Sequence, residues 1–359
     1  MTHEIDTFLS QQDVPGVVAM GFNSGDVLYA GAFGQANVQA GTAMTLQTPH
    51  AIMSMTKPLT SMAAMMLVEQ GKLALDTPAR DYVPAYADMQ VLAGQTPTGE
   101  PIWAAAEQPF TIRHLLTNLA GFGYAFCNTA LAAHLPASNY KRFGLVHQPG
   151  AQWTYGISTQ VLGEVIVAVT GQPLSQVFKS LIFEPLGMAA TSYDLQPDMA
   201  VPHVKVNGAW QAQGTMAAPE KGDAGLISTA GDYSRFLQCL LQGGAPLVDT
   251  ATLQAMTSNQ IGDLCIQQQP AANPALTHPF PRGGGVDKFG FGFQLHQQGQ
   301  PGMRSVGSYS WCGLLNTYFW VDPLRQLGGV VLMQVLPLFD PTCLQTLDGF
   351  ERHLYRLQP

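Results

Sequence analysis

Between Ala51 and Leu73 the chain reads AIMSMTKPLTSMAAMMLVEQGKL. Leu59, Met62, Ala63, Met66 and Leu67 recur at helical spacing, and Gly71 ends the pattern where a C-cap glycine is expected. A helix this apolar belongs in a core. With 46% hydrophobic against 11% charged residues among 359, the chain can bury a large one, in one large or two intimate domains. Yet Ser54 and Lys57 stand at the start of this helix.

A spacing of three places both side chains on one helical face, within reach of each other. A serine hydroxyl is a poor nucleophile until a base takes its proton. For Lys57 to be that base its pKa must fall from about 10.4 to about 7–8, which requires on the order of 4 kcal/mol of desolvation or repulsion. Apolar neighbours supply such an environment. A serine at a helix start also carries an unpaired backbone N–H, one of the two donors an oxyanion hole needs. Pro58, lacking an N–H, fits only near such a start. By pattern alone the pair fits two arrangements, a nucleophile with its base or an N-cap serine beside a snorkelling lysine. A second S-x-x-K, Ser138 to Lys141, lies in the polar stretch PASNYKRFG with nothing to desolvate its lysine, and is a chance match.

Scattered acids give a net charge of −8 with no basic block, which excludes nucleic acid and anionic membrane as expected partners. The start, MTHEIDTFLSQQDVPG, has neither the basic end nor the apolar run of a secretory leader, so a cytoplasmic location is predicted. The longest apolar run, LGGVVLMQVLPLF from Leu327, is too short for a membrane span and reads as a buried strand. The five cysteines are widely spaced without a C-x-x-C pair, and free buried thiols are expected. The nine histidines form no close ligand pair, so neither a metal nor another cofactor is predicted.

GVVAMGFNSGDVLYAGAFGQAN, from Gly16, predicts a hairpin after an opening helix. From about Asp76 to about Ala200 the pattern is helical and loop-rich, with TIRHLLTNLAGFG, STQVLGEVIVAVTG and LSQVFKSLIFEPLGM as its clearest segments. GLISTAGDYSRFLQCLLQGG reads as a turn and helix. Phe289 to Phe339 reads as successive antiparallel strands, and CLQTLDGFERHLYRL as a closing helix. The sheet is therefore built from both chain ends. The Pro- and Gly-rich stretch from Gln267 to Gly285 predicts a long surface loop.

Two further places belong with Ser54 and Lys57. In HQPGAQWTYGISTQVLGEVI, Tyr155 lies between a turn and a strong helix, where its hydroxyl can project into a cleft. In SVGSYSWCGLLNTYFWVDP, small residues run into a strand around Trp311, Gly313 and Leu314, allowing close backbone approach to a bound carbonyl. SMTKPLTSMAAMMLVEQGKLALDTPARDYVP resembles the first motif of the serine β-lactamase-like superfamily, in the branch of class C β-lactamases, D-alanyl-D-alanine carboxypeptidases and family VIII carboxylesterases. HLLTNLAGF, PGAQWTYGISTQVLGEVI, EPLGM, GDAGLISTAGDYSRFLQCLLQGG and WCGLLNTYFWVDP resemble later landmarks of that superfamily, in the right order over nearly the whole chain.

The resemblance implies an α+β fold. An antiparallel sheet flanked by helices, from residues 1–75 and 201–359, stands beside a mostly helical inserted domain, 76–200, with the site in the cleft between them. It makes Ser54 the acylated nucleophile and Lys57 and Tyr155 the proton-transfer pair. The leading assignment is a Tyr155 phenolate stabilised by a Lys57 ammonium, and the opposite one also fits, since coupled groups share their titration. The oxyanion hole would use the backbone N–H groups of Ser54 and Leu314.

Two positions depart from the lactam- and peptide-handling members. Trp311 replaces a carboxylate-binding lysine at the third motif, and Ile157 replaces an asparagine two residues after the tyrosine. Apolar groups there desolvate an amide or carboxylate without compensation, whereas an ester acyl chain loses little. The tryptophan resembles the third motif of family VIII esterases. Hydrolysis of small-molecule esters with short to medium acyl chains is thus expected. An acyltransferase follows on the same chemistry, then a D-stereospecific amidase, then a silent binding protein. Phe122, Tyr124, Phe126, Trp153 and Tyr309 are candidate pocket-lining aromatics beside Trp311, Gly313 and Ile157.

Overall fold

A computed structural model describes residues 2–134, 144–216 and 219–357. The chance Ser138–Lys141 match lies outside the described residues. Gly16–Asn23 and Val27–Asn37 form the hairpin predicted around NSGD, after a Thr2–Ser10 helix. Across an eight-stranded antiparallel sheet the order runs Lys288–Phe289, Gln294–Leu295, Tyr309–Gly313, Thr317–Asp322, Leu327–Leu332, Gly16–Asn23, Val27–Asn37, Thr42–Ala43. The sheet is therefore assembled from both chain ends, as the sequence predicts.

Both faces of this sheet are covered, which is why its central strands read as continuous apolar runs. Val18, Met20 and Phe22 pack into the cluster containing the Thr56–Glu69 and Ala230–Leu241 helices. Val17 and Ala19, pointing the other way, pack with the Thr2–Ser10 and Pro341–Leu357 helices. Every residue from Thr56 to Leu67 is buried. The central helix is thus wrapped on all sides, Lys57 included.

Between 76 and 200 lie the Ile112–Leu116, Ser158–Thr170 and Leu174–Phe178 helices. The same segment carries a hairpin, Gln90–Gln95 with Pro101–Ala105, that the sequence reading does not place. Ser158–Thr170 ends at Gly171, whose φ of 67° serves as its left-handed cap. Among the described residues, no single helix is long and apolar enough to cross a membrane.

Candidate active site

Three connections fix the segment that carries Ser54. His50–Ala51 pairs with Ile227–Ser228, Ile52 N donates to Leu226 O at 3.0 Å, and Thr317 Oγ1 donates to Ile52 O at 3.3 Å. The chain then turns sharply. Met53 takes a φ of 48°, an unusual conformation for a non-glycine residue, and Met53–Met55 forms a single 3-10 turn leading into the Thr56–Glu69 helix. Ser54 sits at the centre of that turn, half-buried.

One turn onward, Lys57 is 3% exposed and donates three hydrogen bonds: to Ser54 Oγ at 3.1 Å, Tyr124 Oη at 2.9 Å and the Asp223 carbonyl oxygen at 2.9 Å. Burial pulls its ammonium down to a pKa of about 8, against the opposing charge of Asp223. Tyr155, just before the Ser158–Thr170 helix, donates to Ser54 Oγ at 2.7 Å. Its ring packs edge-on against Tyr124 and Trp311, with centroids 5.1 and 5.2 Å away. Burial holds the Tyr155 phenol well above its ordinary pKa, offset in part by its hydrogen bond to Ser54. Lys57 and Tyr155 therefore meet on one atom, Ser54 Oγ.

Trp311 and Leu314 line the cavity that opens on Ser54 and Tyr155, together with Phe126, Cys127, Phe280, Leu338 and Phe339. Gly313 lets the Tyr309–Gly313 strand lie against the Ser54 segment, because a Cβ there would stand 2.3 Å from Ile52 O. The Trp311 indole N–H is buried without an acceptor among the described residues, a polar feature that an apolar view of this position omits. Cys127 and Cys312 also border the cavity. Burial pushes both thiols up to about 12, which keeps them protonated and unreactive beside Ser54.

Six pocket candidates from the sequence are not among the residues lining this cavity: Gly313 packs on Ile52, Tyr124 turns to Lys57 and Asp223, and four others pack elsewhere. Phe122 is 2% exposed and packs edge-on to Tyr86 and Phe110. Trp153 is wholly buried against Phe289, and Tyr309 against Phe293. Ile157 caps the Ser158–Thr170 helix with its side chain in the core. Each is a large apolar residue for which packing against neighbouring elements outweighs a place at the cavity wall. The reverse holds for residues 267–285. That loop is surface-exposed at Asn273–Ala275, but Gln269, Thr277, His278 and Phe280 turn inward onto the cavity.

Nothing in the sequence pattern places Tyr124 and Asp223 beside Lys57. Tyr124 Oη donates a short hydrogen bond to Asp223 Oδ2. The signal the sequence offers is that they lie within the GFGYAF and GDAGL stretches. A Ser–His–Asp chain also exists elsewhere: His296 Nε2 is 2.7 Å from Ser310 Oγ and His296 Nδ1 3.2 Å from Asp287 Oδ2. Burial, and the Arg304 guanidinium 3.3 Å from Nε2, disfavour a charged imidazole, so this is a polar buttress and no base.

Residues 1–345 match the Beta-lactamase family model. The chain belongs to the beta-lactamase family. It is 27% identical to the ML-236A carboxylate methylbutanoyltransferase of Penicillium citrinum, over 96% of this chain and 91% of that protein. With the lovastatin esterase of Penicillium rubens it shares 27% identity over 84% of each chain. A mutant simvastatin synthase from Aspergillus terreus superposes with a TM-score of 0.86 over 99% of this chain and 97% of its own, at 24% identity, a likeness of fold. Family membership thus agrees with the α+β fold.

Proposed function

We propose that this family member is a serine carboxylesterase that forms an acyl-enzyme on Ser54. The observation that carries it is the convergence of Lys57 Nζ and Tyr155 Oη on Ser54 Oγ, at 3.1 and 2.7 Å, within a cavity walled by Trp311, Phe280, Leu314 and Leu338. Once Lys57 loses the proton it directs at Ser54, its two remaining N–H bonds can hold Tyr124 Oη and the Asp223 carbonyl, and its lone pair faces Ser54 Oγ. Lys57 as the base and Tyr155 as the acid fits this geometry better than a resting Tyr155 phenolate. Burial lowers the one pKa and raises the other, and the structure gives no Lys57–Tyr155 hydroxyl hydrogen bond among the described residues.

In the acylation step the Ser54 proton passes to Lys57 as Oγ attacks the ester carbonyl. The backbone N–H groups of Ser54 and Leu314 hold the oxyanion. Collapse expels an alkoxide, which takes the Tyr155 proton and leaves a Lys57 ammonium and a Tyr155 phenolate, the acid and the base of the next half-reaction. Deacylation runs the same sequence in reverse with water as nucleophile. Ser54, Lys57 and Trp311 come from the unit we assign to 1–75 and 201–359, Tyr124 and Tyr155 from 76–200, so the cleft is shared. Free cysteines among the described residues support a reducing, cytoplasmic setting.

Similarity to a methylbutanoyltransferase favours one second reading, in which an alcohol resolves the acyl-enzyme. A panel of short and long acyl esters, a D-amino-acid amide and a β-lactam, run with and without an alcohol acceptor, tests both. Esters should lead by kcat/KM. An amide or β-lactam bearing a free carboxylate that outruns simple esters overturns the esterase assignment, and a transfer product dominating over hydrolysis selects the transferase.

A further inference from the structure

We propose that Asp223 and Tyr124 are positioning residues that aim and tune Lys57: the Asp223 carboxylate fixes the Tyr124 hydroxyl so that it accepts from Nζ, which leaves one tetrahedral direction of the amine for Ser54 Oγ. This rests on the assignment of Lys57 as base made above and extends it to residues 67 and 166 positions away in the sequence.

A tyrosine hydroxyl has a single proton and rotates to suit its partners. Tyr124 commits that proton to Asp223 Oδ2. Its lone pair is then what faces Lys57 Nζ, 2.9 Å away. The main chain of Asp223 takes a second N–H of the same amine, also at 2.9 Å. One residue thus acts on Lys57 twice, directly through its carbonyl and through Tyr124 by its carboxylate.

The loop that carries Asp223 is held firmly enough to do this. Thr60 Oγ1, one turn beyond Lys57, donates to Gly222 O at 2.5 Å, and Leu226 N donates to Thr56 Oγ1 at 3.4 Å. Gly222 itself is wedged against the Ser158–Thr170 helix, where a Cβ would lie 2.3 Å from Thr159 O. Asp223 is 4% exposed, and its Oδ1 makes no hydrogen bond among the described residues. A carboxylate so buried acts on its neighbours through a low dielectric. Among the described residues, the titratable groups facing Lys57 are Asp223, Tyr124, Tyr155, Cys127 and Cys312, and Asp223 is the carboxylate among them. Its charge favours the ammonium, so it opposes the burial that favours the amine.

The test reads Lys57 without substrate. Protein carrying 15N at lysine Nζ is titrated by NMR as wild type, Asp223→Asn and Tyr124→Phe, and kcat/KM is followed against pH for the same set. Loss of the Asp223 charge should lower the Lys57 midpoint by about one unit or more. The acidic limb of kcat/KM should move down with it. Tyr124→Phe, freeing one arm of the amine, should cut kcat on the order of 10²-fold with KM little changed. A Lys57 midpoint unmoved in Asp223→Asn, or near-full kcat in Tyr124→Phe, overturns the proposal. A midpoint that moves while the kinetic limb stays put upholds the positioning role and instead removes Lys57 as the base. Should Asp223→Asn fail to fold, Tyr124→Phe alone decides.

Discussion

Gly313 lies so close to Ile52 that a Cβ on the glycine would stand 2.3 Å from the Ile52 carbonyl oxygen and 2.3 Å from Thr317 Oγ1. This approach sets the Tyr309–Gly313 strand, and with it the Leu314 N–H, beside the turn that bears Ser54. Gly313→Ala forces the two segments apart. Removing one oxyanion donor typically costs about 10²–10³-fold in kcat, and a loss of that order is expected here with a smaller change in KM. Near-wild-type kcat in a folded Gly313→Ala protein refutes the assigned hole.

The pH dependence follows from the lysine. Burial sets the Lys57 pKa at about 8, and in the proposed mechanism it is the amine that accepts the Ser54 proton. The kcat/KM value should therefore rise with pH and level off above about 8. The same shift links to stability. Between the folded value of about 8 and the ordinary 10.5, the unfolded chain holds a proton that the folded chain lacks, so this group favours folding increasingly as pH rises through that window. Lys57→Arg should not restore activity, since arginine keeps its proton and has a different shape. An active Lys57→Arg enzyme with an unchanged profile removes the lysine as base.

Tyr155→Phe and Lys57→Ala should each fall close to the floor set by Ser54→Ala, and the double variant should fall little further, since residues acting as one proton-transfer unit are non-additive. Steady-state kcat for the singles and the double is the check. Independent, multiplying losses would show two separate roles.

Phe280 packs between Trp311 and Phe339, with centroids 6.1 and 5.4 Å away, and closes one wall of the cavity. Phe280→Ala should shift preference toward longer acyl chains, by roughly 10-fold or more in the ratio of long to short ester kcat/KM, in keeping with the discrimination apolar pockets give per methylene. An unchanged ratio places the acyl chain elsewhere.

Much of this is legible in the sequence, for identifiable reasons. Ser54 and Lys57 are neighbours through helical spacing, and the apolar residues around them declare the burial that perturbs the lysine. The sheet is legible because its strands are continuous apolar runs punctuated by turn residues. Tyr124 and Asp223 meet Lys57 only through tertiary packing, which a local pattern does not encode. Phe122, Trp153 and Tyr309 carry the composition of pocket residues, but the face each presents is set by the elements packed against it. The loop from Gln267 to Gly285 has the composition of a surface loop and still buries Gln269 and Thr277.

The most direct test of the central claim is to treat the protein with a fluorophosphonate and locate the adduct by mass spectrometry. One adduct on Ser54 is expected, formed more slowly in Lys57→Arg and absent from a folded Ser54→Ala protein that no longer turns over esters. An adduct on another serine, or undiminished ester turnover by Ser54→Ala, would contradict the account.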